Sequence, residues 1–509
     1  MAAALRAGLQ DGSGASVNGW GPTRALRDRR WPAGFFAVFL CLGFALGLMR
    51  PSIDPDLGWH LRTGQLILAT HAVPVADVFS FTKAGANWVD QEWLWQVLLA
   101  TVARLAGTAG LVAVKSVVAP AAIALVYLVL RARGVPQRFS VIGAAGALLL
   151  LVPYSEARPA MVGPLFSAAF LLVLERYRTT RDWHWLAALL PCELIWANAH
   201  SSYVLGLFLC GIYAVAEFWD ARSLASLKLW AALLASLLAI SVINPRGIGL
   251  LRFTLTAAGL SFNRDYVAEW QAPVLAKWPG VLVLVMLILS IAVGALYRDW
   301  AAKKRQLLLL VICTPLALLS QQFEPLYAVA VVPILAEVAF RLVGRPEDPY
   351  LPRGFASCLI LALIAVAAVG PGRNLTAGSA KAAVDHTFPT QAVAFIEQQH
   401  LAGPMFNEYD WGGYLIQTLP HLPVFVDGRS EVYGEDFLRQ WMAVKLATEP
   451  ADPVFSHYGI NLALIEPHSA LATELRANNT NWREAYTDNV ASVFVRTDQV
   501  SSPAGGGEG

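Results

Sequence analysis

Apolar runs of membrane-spanning length recur along this chain, and they limit its possible folds more than any other feature. They lie near 31–49, 109–131, 139–154, 160–175, 184–198, 202–219, 226–243, 279–297, 305–320, 324–343 and 354–371. About 20 apolar residues cross the roughly 30 Å of bilayer hydrocarbon. A segment that crosses must be helical, because lipid offers its backbone no hydrogen bonds. The 509 residues are 56% hydrophobic and only 15% charged, where a water-soluble chain carries about 25% charged residues. The expected fold is therefore a polytopic, all-α membrane domain of about eleven transmembrane helices.

Loop charge sets the direction of the runs. Residues 1–30 are polar and end in Arg24, Arg27, Arg29 and Arg30, which reads as a disordered cytoplasmic tail. The run 31–49 is too long for a signal-peptide core, and no small-residue cleavage site follows it, so it is expected to be retained. Basic clusters then recur at every second junction, at Arg131–Arg138, Arg176–Arg181, Arg222–Lys228, Arg298–Arg305 and Arg341–Arg353. This pattern puts the N-terminus and those junctions inside. It puts 50–108 and everything after 372 outside. Residues 92–107, with Trp93, Trp95 and Arg104, are expected to form a helix lying in the outer interface. The membrane domain thus covers 31–372, including the outer loop 50–108.

Residues 373–500 alternate helical and extended patterns and contain no cysteine. Helices are expected over 389–401, 414–419 and 436–446, and strands over 405–407, 424–427, 460–466 and 490–496. That alternation predicts a small α/β domain, followed by a flexible tail at 501–509. The five cysteines all fall in apolar runs, so neither a disulfide framework nor zinc spacing is present. A net charge of +2 gives no reason to expect a nucleic-acid partner.

The chemistry-bearing residues collect in the outer loops. Asp54-Pro55-Asp56 stands directly after the first run, where a carboxylate can bind a divalent cation or take a proton from an attacking group. Asp56 equally suits a helix cap for a segment starting at Leu57. Leu57–Thr70 reads as an amphipathic helix, with His60 and Arg62 on or near its polar side. The outer arginines Arg62, Arg158 and Arg246 suit phosphate oxygens, and snorkelling is the plainer reading of each. Glu156, His200 and Glu269 stand at span ends. Glu193 lies inside a run, where an ionisable group is functional or paired. In the α/β domain, Glu408-Tyr409-Asp410-Trp411-Gly412-Gly413 and Asp427-Gly428-Arg429 follow strands, at the strand ends where open α/β sheets bind ligands. Turn chemistry accounts for both equally well.

This plan resembles the C-type superfold of integral-membrane glycosyltransferases (GT-C). That group includes protein O-mannosyltransferases, aminoarabinose transferases and the oligosaccharyltransferase catalytic subunit. Asp54-Pro55 with the later Arg62 looks like the first-loop acid motif of the last of these. Glu408-Tyr409-Asp410-Trp411-Gly412 is similar to its Trp-Trp-Asp-Tyr-Gly signature with the aromatics rearranged, and Glu269 stands where it has a loop glutamate. The chain departs from the pattern at Glu156-Ala-Arg158, where the resemblance would place Asp-x-Asp.

The resemblance implies an inverting sugar transfer from a polyprenyl-phosphate-linked donor. The acceptor would be a glycan, lipid or protein on the outer face of a bacterial inner membrane. Asp54 would be the base, supported by Asp56 and His60, with Mg2+ or Mn2+ on Asp54 and Asp56. Arg62, Arg158 and Arg246 would hold the donor phosphate. Glu269, Tyr409, Asp410, Trp411, Asp427 and Arg429 would serve the acceptor. The rival readings are a non-catalytic assembly or scaffold protein of the same fold and a lipid or solute transporter.

Overall fold

The computed structural model describes residues 54–257, 261–274, 278–296, 300, 303–343 and 377–497. The expected tails at 1–30 and 501–509 and the expected spans at 31–49 and 354–371 lie outside the described residues.

The apolar runs form helices, as lipid demands. They are α1 (Leu57–Thr70), α2 (Trp93–Ala132), α3 (Gln137–Leu151), α4 (Val162–Thr180), α5 (Leu189–Ala199), α6 (Val204–Ala221), α7 (Leu224–Ser241), α8 (Trp278–Leu296), α9 (Lys304–Leu319), α10 (Glu324–Ala330) and α11 (Val332–Val343). Among the described residues, five helical segments are long and apolar enough to cross a membrane: Trp93–Ala132, Pro159–Thr180, Ser201–Asp220, Leu224–Ser241 and Gln321–Leu342. Phe139–Tyr154 and Val283–Ala295 are apolar but shorter. The chain is thus a multi-pass membrane protein, and the expected count of about eleven goes beyond these five. α2 breaks at Gly107, whose φ of 57° costs little only for glycine. The break falls at the boundary expected between the helix at 92–107 and the following span.

The ionisable residues within or beside these helices have partners. The Ser241 hydroxyl donates to the buried Glu193 carboxylate (2.8 Å), Lys115 pairs with Glu156 (3.3 Å), and the Tyr154 hydroxyl donates to Glu324 (2.6 Å).

The C-terminal part contains α12 (Ala377–Thr387), α13 (Thr390–Gln398), β1 (Met405–Asn407), α14 (Gly412–Thr418), α15 (Glu435–Lys445), α16 (Ala451–Tyr458), β2 (Leu462–Ile465), α17 (Ala470–Ala477), β3 (Trp482–Thr487) and β4 (Ser492–Arg496). The sheet order is β1-β2-β4-β3. β1 and β2 are parallel, with Met405 opposite Leu462, and the other pairings are antiparallel. The α/β class expected from the alternation is the one observed. The sequence pattern did not single out β3, α16 or α17.

One expected strand fails. Val424–Asp427 joins no ladder of the sheet; Val424 forms an isolated parallel bridge with Ser80 of the outer loop. Its amide donates to the Phe79 carbonyl (3.1 Å), and its carbonyl accepts from the Phe81 amide (3.2 Å). On its other side, the Phe425 amide is bound by the Asn407 side chain (2.8 Å).

This pairing redraws the domain boundary. Trp59 and Trp88 of the outer loop belong to the same apolar core as Phe406, Trp411, Phe425 and Trp441. A separate core joins the membrane helices. The outer loop and the C-terminal domain therefore pack as one layer. Close backbone approach makes this possible. A Cβ on Gly58 would lie 2.0 Å from the Gly413 carbonyl oxygen, and one on Gly413 would lie 2.2 Å from that of Pro55. Gly413 thus seats α14 against the start of α1, while Gly412 lets it lie against Val426 and Asp427.

Candidate functional site

Three segments far apart in sequence converge in front of α1. Asp54 is 7% exposed. Pro55 has no amide proton, and the Asp56 amide fills one side of the Asp54 carboxylate by donating to Oδ1 (2.9 Å). The other oxygen, Oδ2, faces Arg158 Nη1 at 3.6 Å. The same Nη1 donates to Glu269 Oε1. Arg158 is held extended before Pro159. Glu269 sits in a short turn, Ala268–Trp270, whose end is pinned by Ser320 donating to the Glu269 carbonyl (2.9 Å). Burial raises the Asp54 pKa above its ordinary range, and Arg158 pulls it back.

A second polar group lies alongside. Glu92, just before α2, faces His60 Nδ1 (3.6 Å) with one oxygen and His200 Nε2 (3.5 Å) with the other. The Ser202 amide donates to His200 Nδ1 (3.1 Å), so the proton of the neutral His200 ring sits on Nε2, aimed at Glu92. The Gln96 amide donates to Asp90 (2.8 Å) and lies 3.5 Å from His60. Burial raises the pKa of Glu92 and lowers those of His60 and His200. All three environments favour the neutral form. Sequence reasoning did not assign Glu92 or His200 to the site; its one signal was their position in polar junctions on the expected outer face.

Other expectations are corrected. His60 does not lie on a polar face; it is 2% exposed, buried against α2, with its ring tilted 38° to that of Trp59 at 3.7 Å. Asp56 takes the N-cap position of α1, yet its side chain makes no cap hydrogen bond. Its Oδ1 accepts from the Trp59 indole (2.9 Å), and it lies so close to Gly428 that a Cβ there would meet Oδ1 at 1.9 Å. Burial, and then Asp54, push its pKa up to about 8. Asp56 is therefore a docking residue between α1 and the C-terminal domain.

The expected phosphate ligands separate. Arg158 is engaged with the two carboxylates. Arg246 donates to Asn87 Oδ1. Arg62 is half-buried on α1, and no ion pair or side-chain hydrogen bond among the described residues engages it.

The expected acceptor residues also scatter. Asp410 is exposed, but the Tyr409 hydroxyl donates to the Gly428 carbonyl (3.0 Å) and the buried Trp411 indole to the Thr387 carbonyl (3.2 Å). Asp427 and Arg429 are almost wholly buried, at 0% and 1% exposure. Arg429 binds Asp427 (2.6 Å) and Asp77 (2.8 Å), stacks over Trp88 at 4.6 Å, and leaves Asp427 also accepting from Tyr433 (2.7 Å). Both residues join the outer loop to the domain and are closed to an acceptor.

No family model and no curated protein sequence matches the chain. Solved structures do match. The oligosaccharyltransferase of Archaeoglobus fulgidus in its apo form aligns over 86% of this chain and 70% of its own, at 14% identity and a TM-score of 0.57. The archaeal oligosaccharyltransferase AglB from the same organism, solved with an inhibitory peptide and a dolichol-phosphate, aligns over 93% and 75%, at 11% identity and a TM-score of 0.51. The mycobacterial arabinofuranosyltransferase AftD aligns over 92% of this chain and 41% of its own, at 16% identity and a TM-score of 0.52. These neighbours are GT-C glycosyltransferases, and the chain has their fold.

Proposed function

We propose that this protein is a GT-C membrane glycosyltransferase that moves a sugar from a polyprenyl-phosphate-linked donor to an acceptor on the outer face of the membrane. The reading follows from the fold together with one observation: Asp54, Arg158 and Glu269, from three segments far apart in sequence, meet in one partly exposed ion-pair cluster. Loop charge supports the orientation, with the N-terminus inside and the C-terminal domain outside, as in a bacterial inner-membrane protein.

In this account Asp54 is the base. Its buried setting raises its affinity for a proton, and Arg158 keeps it ionised enough to act. The acceptor's nucleophilic atom attacks the anomeric carbon, the bond from that carbon to the phosphate oxygen breaks, and the acceptor proton passes to Asp54 Oδ2. Attack from the face opposite the phosphate inverts the anomeric centre. The released polyprenyl phosphate carries the negative charge, and Arg62, which no side chain among the described residues engages, is the proposed partner for it. Glu92 and His200 line the neighbouring wall. A glycan, lipid or protein acceptor would enter from the solvent side of Glu269, whose side chain is 42% exposed.

The test is direct. The full chain, purified in mild detergent, is extracted with organic solvent, and the extract is analysed by mass spectrometry. The proposal expects a polyprenyl phosphate or its glycoside, enriched over bulk lipid relative to an unrelated multi-pass protein. An extract without any prenyl phosphate would overturn it.

A further inference from the structure

The carboxylates that would ligate a divalent cation in this cluster already enclose a positive charge that the chain itself supplies. Arg158 Nη1 lies against Asp54 Oδ2 at 3.6 Å and binds Glu269 Oε1. The two remaining acids are turned elsewhere. Asp56 is bound by the Trp59 indole (2.9 Å) and packed on Gly428. Glu156 faces the buried Lys115 (3.3 Å). Among the described residues, no three His, Cys, Asp or Glu side chains converge in a way that could hold a metal ion.

A hard divalent cation takes six or more oxygen ligands, and Mg2+ keeps several of them as water while one or two carboxylates hold it; here those carboxylates already hold Arg158. To enter here it would have to expel the guanidinium, whose side chain is only 18% exposed, and leave it buried without its carboxylates. Losing the partner of a buried charge is strongly unfavourable. The residues present therefore do not fit Mg2+ or Mn2+.

We infer that Arg158 takes the place of a divalent cation, so that this site works without a metal. Resting on the proposed transfer reaction, this assigns Arg158 a positioning role: it orients Asp54 Oδ2 toward the acceptor and ties the 268–270 turn to the cluster. A fixed guanidinium also suits the chemistry. It is planar, permanently charged and directional, and it holds two carboxylates in one geometry without an exchangeable ligand shell. The tripeptide Glu156-Ala-Arg158 carries the change at the level of sequence, with an arginine in the third place of an Asp-x-Asp pattern.

The test titrates Mn2+ into the full-length protein in nanodiscs made of zwitterionic lipid, read by electron paramagnetic resonance, with no sugar donor present. The expected result is that equimolar wild-type protein leaves the signal of aqueous Mn2+ at full amplitude. One Mn2+ bound per chain and lost in Asp54→Asn would overturn the inference. In the same membranes, sugar transfer should be equal with a chelator and with added Mg2+ or Mn2+; transfer abolished by the chelator and restored by Mn2+ would also overturn it. Where transfer is seen, the acid limb of its pH profile should move up by about 1–3 pH units in Arg158→Gln, because Arg158 lowers the Asp54 pKa. A limb that stays in place would remove the role assigned to Arg158. A chain that transfers no sugar from any polyprenyl-phosphate donor defeats the proposed function, and the resonance titration still decides the metal question.

Discussion

Arg429 and Arg158 each join two carboxylates, and the two clusters differ in how far they are closed to water. Arg429 lies between Asp427 and Asp77 at 2.6–2.8 Å, with all three side chains at 0% exposure. An aromatic ring covers the guanidinium, and a tyrosine hydroxyl completes the acid. Arg158 lies between Asp54 and Glu269, with side-chain exposures of 18%, 3% and 42%. Its buried Nε has no partner among the described residues. Arg429 Nη1 likewise has no partner among the described residues, so the two clusters differ in burial and in the number of contacts, the first being closed to water on every side. The second stays partly open, with Glu269 reaching solvent. An arginine between two carboxylates thus makes architecture in one place and, in the proposed account, the reactive site in the other.

The largest stability effect is expected at Arg429. Removing one member of a fully buried pair costs about 3–5 kcal/mol, so Arg429→Ala should lower the melting temperature sharply and expose the C-terminal domain to limited proteolysis. Arg158→Ala should cost clearly less, since its site already has access to water. Equal losses in the two variants would erase the distinction.

A smaller effect is expected at Arg62. Losing a charge-assisted hydrogen bond to a phosphate costs on the order of 1.5–3 kcal/mol. Arg62→Gln should therefore weaken binding of the polyprenyl-phosphate donor roughly tenfold or more, with an unchanged melting temperature. Unaltered donor affinity would remove Arg62 from the site.

An effect of opposite sign belongs to Asp56. Its folded-state pKa of about 8 lies above its ordinary 3.8. The folded chain therefore holds a proton that the unfolded chain releases, and stability falls as the pH rises from about 4 to 8. Asp56→Asn, which still accepts from the Trp59 indole, should raise the melting temperature by a few degrees at pH 8 and hardly at all at pH 4. A melting temperature that drops at pH 8 would show that the charge itself supports the docking.

The membrane helices and the α/β class were legible because each is written in local periodicity and composition. The helix at Leu57–Thr70 was legible, but its inward face was not. Gly64 allows α1 to approach α2 so closely that a Cβ would lie 2.1 Å from the Gln96 carbonyl oxygen. That contact turns His60 inward, and no periodicity argument shows it. Val424–Asp427 looks like a strand because it is a short apolar run between Pro423 and Gly428. Its partner is Ser80, more than three hundred residues earlier, and such pairings leave no trace in local sequence. The acidic pair reads from sequence as Asp54 the base and Asp56 its support or a helix cap, without the partners that tell them apart. Only the Asp54–Arg158 and Asp56–Trp59 contacts separate a reactive carboxylate from a docking one. Glu92 and His200 were missed as a pair for the same reason, since their meeting depends on how α2 and α5 pack.

The central claim is that chemistry belongs to the open cluster and sits on Asp54. The measurement is transfer of labelled sugar from a polyprenyl-phosphate donor in membranes holding matched amounts of wild type and Asp54→Asn. A positioned base is worth about 10²–10⁴ in rate. The account predicts a loss of that size in Asp54→Asn, with donor binding and melting temperature retained. Near-normal transfer by Asp54→Asn would contradict it.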